Sequence, residues 1–302
     1  MTDRKGPEVN EREWLAQRFE ADRSHLRAVA YRMLGSVSGA DDAVQEAWLR
    51  LSRTDADEIE NLGGWLTTVV ARVSLDMLRS RKRGREDPLD LRIPEPIIDR
   101  VDETDPEHEA LLSDSVGLAL LVVLETLKPA ERLAFVLHDV FGVPFEEIAP
   151  IVERSPEAAR KLASRARRRV QGERTVPDAD LETQRKVADA FAAAAREGDF
   201  EALLELLDPH VVLRVDLGPV PARVPREVRG AEAVASRAMA GARLDLEVRP
   251  ALVNGVAGLV ATRDGEPFSV AAITVRNRRI VAMDILADRD RLRELDLTLL
   301  DG

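Results

Sequence analysis

The chain has 302 residues, 45% hydrophobic and 33% charged, with 4% aromatics and a formal net charge of −11. Such a length and balance describe a soluble globular protein of two or three domains. With no cysteine, disulfides, thiol nucleophiles and cysteine-type zinc sites are excluded; the polar N-terminus is no secretory signal and no apolar run could span a bilayer, so a cytoplasmic location is expected.

Three helices are predicted in the first ninety residues. In HLRAVAYRMLG the apolar residues Leu26, Val29, Ala30 and Met33 recur at helical spacing, and Gly35 ends the pattern. DDAVQEAWLRL places Val44, Trp48 and Leu51 on one face and Asp42, Gln45 and Glu46 on another, with Asp41 and Asp42 expected in the first turn, where the helix dipole favours negative charge. GGWLTTVVARVSLDMLRSRKRGRE puts Leu66, Val69, Val70, Val73 and Met77 on one face and finishes in Arg79, Arg81, Lys82, Arg83 and Arg85.

From Glu86 to Glu109 the composition changes to ten acidic residues against Arg92 and Arg100, with IPEP and Asp105-Pro106 and no helical period. This stretch reads as a linker. Helices resume over 116–172. Leu120, Leu121, Leu124 and Leu127 form one stripe, stopped at Lys128-Pro129. Leu133, Val136, Leu137 and Val140 form a second, stopped at Gly142-Val143-Pro144; Phe145, Ile148 and Val152 mark a short third helix. SPEAARKLASRARRRV supplies the fourth, with Ser155 as N-cap, Pro156 at the first helical position and Glu157 at the positive end of the dipole. Its apolar face is Ala159, Leu162, Ala163, Ala166 and Val170. A short helix, a turn and a second helix with a cationic outer face match a helix-turn-helix.

After Gly172 the pattern changes class. VADAFAAAAREGDFEALLELL reads as two helices broken at Gly198. VVLRVDL, LDLEV, FSVAAITV and RIVAMDIL alternate as strands, and Asn254-Gly255 and Asp264-Gly265 are strong hairpin signals. Helices followed by an antiparallel sheet describe an α+β domain. The expected fold is therefore multidomain: two all-α modules and one α+β module.

A DNA major groove admits one helix, and the outward residues of the fourth helix are Glu157, Arg160, Lys161, Ser164, Arg165 and Arg168. Six basic residues and no acidic one lie between Arg160 and Arg169. The alternative is a solvated amphipathic helix with cations at its C-terminal end. Net acidity argues against indiscriminate coating of nucleic acid but not against local patches, because screening at physiological salt acts over about 8 Å. The Arg79–Arg85 cluster has the same two readings. Two such clusters on separate modules suggest one polyanion touched twice.

Here the chain resembles a family. FEADRSHLRAVAYRMLGSVSGADDAVQEAWLRL with WLTTVVARVSLDMLRSRKRGRE resembles region 2 of bacterial RNA polymerase sigma factors of the extracytoplasmic-function type. LETLKPAERLAFVLHDVFGVPFEEIAPIVERSPEAARKLASRARRRV resembles region 4. The C-terminal part resembles the cone-shaped SnoaL-like fold fused to one subgroup, whose Trp-Leu-Pro-Glu-Pro linker motif appears as Arg92-Ile93-Pro94-Glu95-Pro96. The resemblance implies a region 2 domain over 12–88, an acidic linker over 89–115, a region 4 helix-turn-helix over 116–172 and a SnoaL-like domain over 183–302. It implies core RNA polymerase as partner, through the β′ clamp helices and the β flap, with Asp41, Asp42, Gln45, Glu46 and Trp48 on the docking helix. Promoter DNA follows as second partner, with Asp76, Arg79, Arg81, Lys82 and Arg83 at the −10 element and the helix from Pro156 at the −35 element. Pro94, Glu95 and Pro96 become a regulatory linker. Glu153 stands where the family often has glycine in the turn. The subgroup's aspartate followed by three glycines reads here Asp216-Leu217-Gly218-Pro219, and its Asn-Pro-Asp-Lys-Leu motif reads Asp288-Arg289-Asp290-Arg291-Leu292.

Cone-shaped folds also host enzymes, so catalysis needs its own test. His210, Asp216, Asp245 and Asp284 are the candidate proton-transfer groups, and Asp284 stands out because it interrupts an apolar strand. The domain has no tyrosine, and the four histidines (25, 108, 138 and 210) lack metal-ligand spacing. Neither an enzyme, a metal nor a cofactor is expected, and the sequence leaves open whether the C-terminal domain takes an unknown small ligand. The function expected is promoter-specific initiation with core polymerase, regulated by that domain. The alternatives are a ligand-sensing one-component helix-turn-helix regulator and a SnoaL-like pocket enzyme.

Overall fold

The computed structural model describes residues 7–54, 59–83, 92–101, 108, 117–172, 177, 180–219, 226–295 and 297. The chain divides into two compact units that do not follow chain order. One joins residues 1–86 to 127–167, and the other joins 87–126 to 168–302.

The regular elements described in the first unit are all helical. Helix α1 (Pro7–Leu34) ends where Gly35 turns left-handed at φ 61°, its amide donating to the Tyr31 carbonyl. Helix α2 (Val37–Leu51) starts from Ser36, whose hydroxyl accepts from the Gly39 amide, and α3 (Leu62–Arg83) follows. Asp41 and Asp42 therefore lie in the second turn of α2, one turn later than expected, because the serine cap lies upstream of the acidic pair. Leu26, Val29, Met33, Leu66 and Val70 are buried as the periodicity predicts, and so is Leu51. In the same unit α5 (Pro129–Phe135) runs into a π-helical turn (Val136–Val140) and then α6 (Phe145–Val152). Helix α7 (Pro156–Gly172) completes the helix-turn-helix, with the boundary between units falling after Arg167. Ala159, Ala163 and Ala166 are its buried face.

Two buried arginines join the early and late helices of this unit. Arg132 donates through Nε to the Arg32 carbonyl at 3.1 Å, and the Arg32 guanidinium lies 5.1 Å from the centre of the Phe141 ring. His25 meets the same ring edge-on.

Among the described residues, the second unit is built on a seven-stranded sheet; numbered in chain order from β1 (Ile98–Asp99), its strands lie in the order β1-β4-β5-β6-β7-β2-β3. Helix α8 (Leu181–Glu197) ends at Gly198 (φ 74°), and α9 (Phe200–Leu206) leads into β2 (Leu207–Asp216). Strand β3 (Glu227–Arg229) and α10 (Ala231–Ala242) precede β4 (Glu247–Val253), β5 (Val256–Arg263), β6 (Glu266–Arg276) and β7 (Arg279–Leu286). The short α11 (Arg289–Arg293) closes the described fold. Asn254-Gly255 and Asp264-Gly265 both take positive φ, the geometry of tight hairpins. A third hairpin turns on Asn277-Arg278, also at positive φ, with no glycine to announce it.

The sheet and the acidic stretch both differ from what the sequence predicts. The sheet is not wholly antiparallel: β2 and β7 pair parallel, Leu213 against Met283 and Val215 against Ile285. The acidic stretch is not wholly irregular either. Ile98–Asp99 forms strand β1, pairing with Val253 and Leu252 of β4. Helix α4 (Leu118–Glu125), buried from Leu118 to Leu124, contacts β6 and β7 in the same unit. It is apolar all round, as a helix without a solvent face must be.

Candidate nucleic-acid interface

The cationic helix is positioned by its cap and its small apolar face. The Ser155 hydroxyl accepts from the Ala158 amide at 3.3 Å. Hydrogen bonds from the Glu157 backbone and Ser155 side chain hold the Glu157 carboxyl below the usual glutamate range. Three buried alanines make up the inward face of α7, which turns Glu157, Arg160, Lys161, Arg165 and Arg168 outward and leaves Ser164 half-buried. The turn before it depends on Glu153, the last cap of α6, held at φ 56° and ψ 48°. This is the left-handed position, occupied by a residue that adopts it at a cost of about 1–2 kcal/mol.

The outward cations are not equivalent. Arg165 donates to Glu131 at 2.9 Å, and that carboxylate is buried. Arg167 donates to Asp139 at 2.7 Å. Arg160 stacks over Phe145 at 5.2 Å. Among the described residues, Lys161 and Arg168 make no ion pair, so their charge is directed to solvent.

On α3, Asp76 is exposed and pairs with Arg79 at 3.6 Å. Arg81 turns inward: its Nη1 donates to the Leu34 carbonyl at 3.1 Å, capping the end of α1. Gly39 makes room for it, since a Cβ there would stand 2.8 Å from Arg81 Nη2. Lys82 and Arg83 belong to the last turn of α3, and their side chains lie outside the described residues, as does Arg85. On α2, Asp42 and Gln45 are exposed, Glu46 pairs with Arg50 at 2.9 Å, and Asp41 accepts from Arg27 at 2.6 and 3.2 Å. Trp48 is half-buried, tilted 5.1 Å from Phe19. Leu49 is one of the few large apolar residues left exposed and continues the Asp42–Gln45 face by one turn. An apolar residue on a polar face was its only signal in the sequence.

Comparison with known proteins gives this arrangement a family. Sigma-70 region 2 matches residues 18–84, and Sigma-70 region 4 matches residues 117–170. The ECF RNA polymerase sigma factor SigJ of Mycobacterium tuberculosis is 39% identical over 287 residues, covering 90% of this chain and 91% of that one. The chain belongs to the ECF RNA polymerase sigma factors. A probable ECF sigma factor SigI of the same organism is 39% identical over 198 residues, 66% of this chain and 68% of its own. The crystal structure of M. tuberculosis SigJ superposes with a TM-score of 0.74 at 36% identity, over 93% of this chain and 99% of that one.

This sigma factor therefore directs promoter-specific transcription initiation, its two regions serving core RNA polymerase and promoter DNA. Sigma factors act by binding rather than by catalysis. Among the described residues, no helix is long and apolar enough to cross a membrane, and no group of three or more acidic or histidine side chains is placed to hold a metal.

The sigma factor's linker motif is gripped by the α+β unit. Ile93, Pro94 and Pro96 are buried and Glu95 is half-buried. The Ile93 amide donates to Asp216 Oδ2 at 3.0 Å, and its carbonyl accepts from Arg291 Nη2 at 2.7 Å. Arg291 Nη1 reaches the same Asp216 oxygen at 2.6 Å, and Asp216 Oδ1 takes the Gly218 amide. Burial draws the Arg291 guanidinium below its ordinary value, and the Asp216 carboxylate opposes that shift. Gly218 (φ 70°) lets the chain pass Asp288, whose Oδ2 would lie 2.5 Å from any added Cβ. Three motifs far apart in sequence thus meet at one point. Four residues on, Ile97 and Asn254 exchange a second pair of hydrogen bonds, at 3.2 and 2.8 Å.

The proton-transfer candidates have structural partners or sit in solvent. Asp216 holds the linker. Asp284 is fully buried and pairs with Arg214 at 3.2 Å, which also reaches Glu227 at 3.6 Å. These three face each other in register across β7, β2 and β3. His210 and Asp245 are exposed. A cavity of about 1020 Å³ lies on the other sheet face, lined by Leu213, Val215, Met283 and Ile285, and none of the four candidates lines it.

Proposed function

We propose that this sigma factor is regulated through its linker, which its own α+β unit holds in place. The carrying observation is the pair of hydrogen bonds on Ile93, one to Asp216 and one from Arg291. Both motifs that form this clasp depart from the subgroup's, one from three glycines after the aspartate and the other from Asn-Pro-Asp-Lys-Leu, yet the aspartate and an arginine partner are present. In this reading residues 12–88 serve polymerase and the −10 element, 116–172 the −35 element, and 183–302 restrain the linker at 89–115 without catalysis.

Asp42, Gln45 and Glu46 would dock on the β′ clamp helices, with Leu49 supplying apolar contact; Asp41 and Trp48 hold α2 in place. The β flap would take the region 4 helices. Lys161 and Arg168 are the best placed of the α7 cations for phosphate or base contact, and Glu157, Arg160 and Ser164 share that face. Arg165 serves α7 mainly through Glu131. Asp76 and Arg79 would meet the −10 element beside Lys82 and Arg83, and Arg81 shapes the corner that presents them. A polymerase partner puts the site of action in the cytoplasm.

The test is transcription in vitro with purified core polymerase on a genomic fragment library. Initiation dependent on this protein is expected, and deleting residues beyond 175 should change both polymerase affinity and transcript yield. Unchanged values for both would refute regulation by the third domain.

A further inference from the structure

We propose that the cavity of the α+β unit binds an amphipathic carboxylate and that its occupancy is read at the linker. The cavity lies between the sheet and helices α8 and α10, with Phe191, Leu259, Phe268 and Met283 among its walls. A volume of about 1020 Å³ is at the upper end of small-molecule sites, which are mostly apolar with a few polar groups that set orientation. Here the walls are aliphatic and aromatic, so the body of the ligand is apolar. Its mouth carries Leu244 and Val248, 42% and 43% exposed, two of the four large apolar residues most open to water among those described. Exposed apolar surface continuous with an apolar cavity marks a binding site more often than chance decoration.

Charge at the mouth selects the head group. Arg196, Arg237 and Arg289 line the cavity and are exposed. None of the three forms an ion pair with another described residue. The two carboxylates on the lining are otherwise engaged: Asp288 accepts the Asp290 and Arg291 amides, and Asp290 pairs with Arg293 at 3.6 Å. In a chain of net charge −11, three uncommitted arginines around an apolar mouth fit an anionic head on an apolar tail.

The route to the linker is covalent and short. Leu217 and Pro219 line the cavity, and they flank Gly218, the residue after the Asp216 turn. Asp288, Arg289 and Asp290 line it too, and they begin the helix that carries Arg291. A ligand that shifts either segment shifts the carboxylate or the guanidinium that holds Ile93. This coupling rests on the regulatory reading above; the binding site does not.

Titration calorimetry on the full chain, with dodecanoate, dodecanol and dodecyltrimethylammonium below their micelle concentrations, tests the site. One dodecanoate per chain is expected, with dodecanol about tenfold weaker and the cation weaker still. Ala261→Phe, and independently Ala238→Phe on the facing helix, should abolish binding while circular dichroism stays unchanged. Arg237→Glu should weaken dodecanoate about fivefold and leave dodecanol unaffected. Absence of saturable binding, equal affinity for the cation, or a dimer that closes the mouth and is broken by Leu244→Glu would overturn the site. Hydrogen exchange at the Ile93 amide tests the coupling separately. It should change on dodecanoate addition in the wild-type chain and not in Ala261→Phe; binding with no change at Ile93 would overturn the read-out alone.

Discussion

Glu153 carries the strain of the helix-turn-helix in a single residue. Its φ of 56° is one that glycine adopts freely, so Glu153→Gly is expected to stabilise the first unit by about 1 kcal/mol, read from urea unfolding. The sequence already marked this position, because a glutamate stood where a glycine serves best; only the backbone angle decided that the turn keeps its usual form. Glu157 gives a second test. Its carboxyl is held low by hydrogen bonds to the native helix start, so its contribution to α7 is present above the ordinary glutamate value and is lost as pH falls through the depressed one. Ser155→Ala should raise that value toward normal in a carbon-detected NMR titration. Arg81 shows the limit of reading charge from sequence. Its place in a basic run predicts a DNA contact, whereas its guanidinium caps α1 through Leu34, an arrangement that needs a corner between helices distant in the chain.

Among the helices, α7 was the most readable, because cap, apolar stripe and cationic face all follow from spacing within seventeen residues. What spacing could not supply was the division of labour among its arginines, set by Glu131, Asp139 and Phe145 on α5 to α6. Two variants separate the roles. Lys161→Ala should weaken promoter binding and lower its salt slope by about 1, with stability unchanged within about 0.5 kcal/mol. Arg165→Ala should instead destabilise the unit by about 1–3 kcal/mol, because Glu131 is left buried without its partner. Salt-dependent promoter binding and thermal melts distinguish the two. The sheet was readable where turns announce themselves, as at Asn254-Gly255, and unreadable where pairing is non-local. Strand β1 is two residues of an acidic stretch, and β2 finds β7 in parallel across most of the domain. No local period encodes either.

In the first unit, region 2 and residues 127–167 of region 4 are packed together as one body of about 130 residues, whose expected diameter is about 35–40 Å. Promoter elements named for positions 35 and 10 are about 25 base pairs apart, about 85 Å along B-DNA. On the proposed division of the two elements between regions 2 and 4, the unit must part before both are bound together. The contacts that close it include Arg32, Arg132 and Phe141, and buried charged groups are weak holders when a solvated alternative exists. Phe141→Ala is expected to favour the parted state: a fluorophore pair on α2 and α7 should move apart and polymerase affinity should rise. A closer pair, or weaker polymerase binding with the fold intact, would refute this. None of this packing was visible in the sequence, which showed two modules and a linker but not which surfaces they share.

The two-residue strand β1 has a consequence in time. Its partners Leu252 and Val253 leave the ribosome about 150 residues after it, on the order of ten to thirty seconds at ordinary elongation rates. Over the later part of that interval, once region 4 is complete at about residue 170, regions 2 and 4 have both been synthesised while the strand that pairs with β1 does not yet exist. On the proposed reading, in which the clasp restrains the finished protein, a newborn chain is unrestrained. It would meet polymerase in the state that the finished protein reaches only when the clasp lets go.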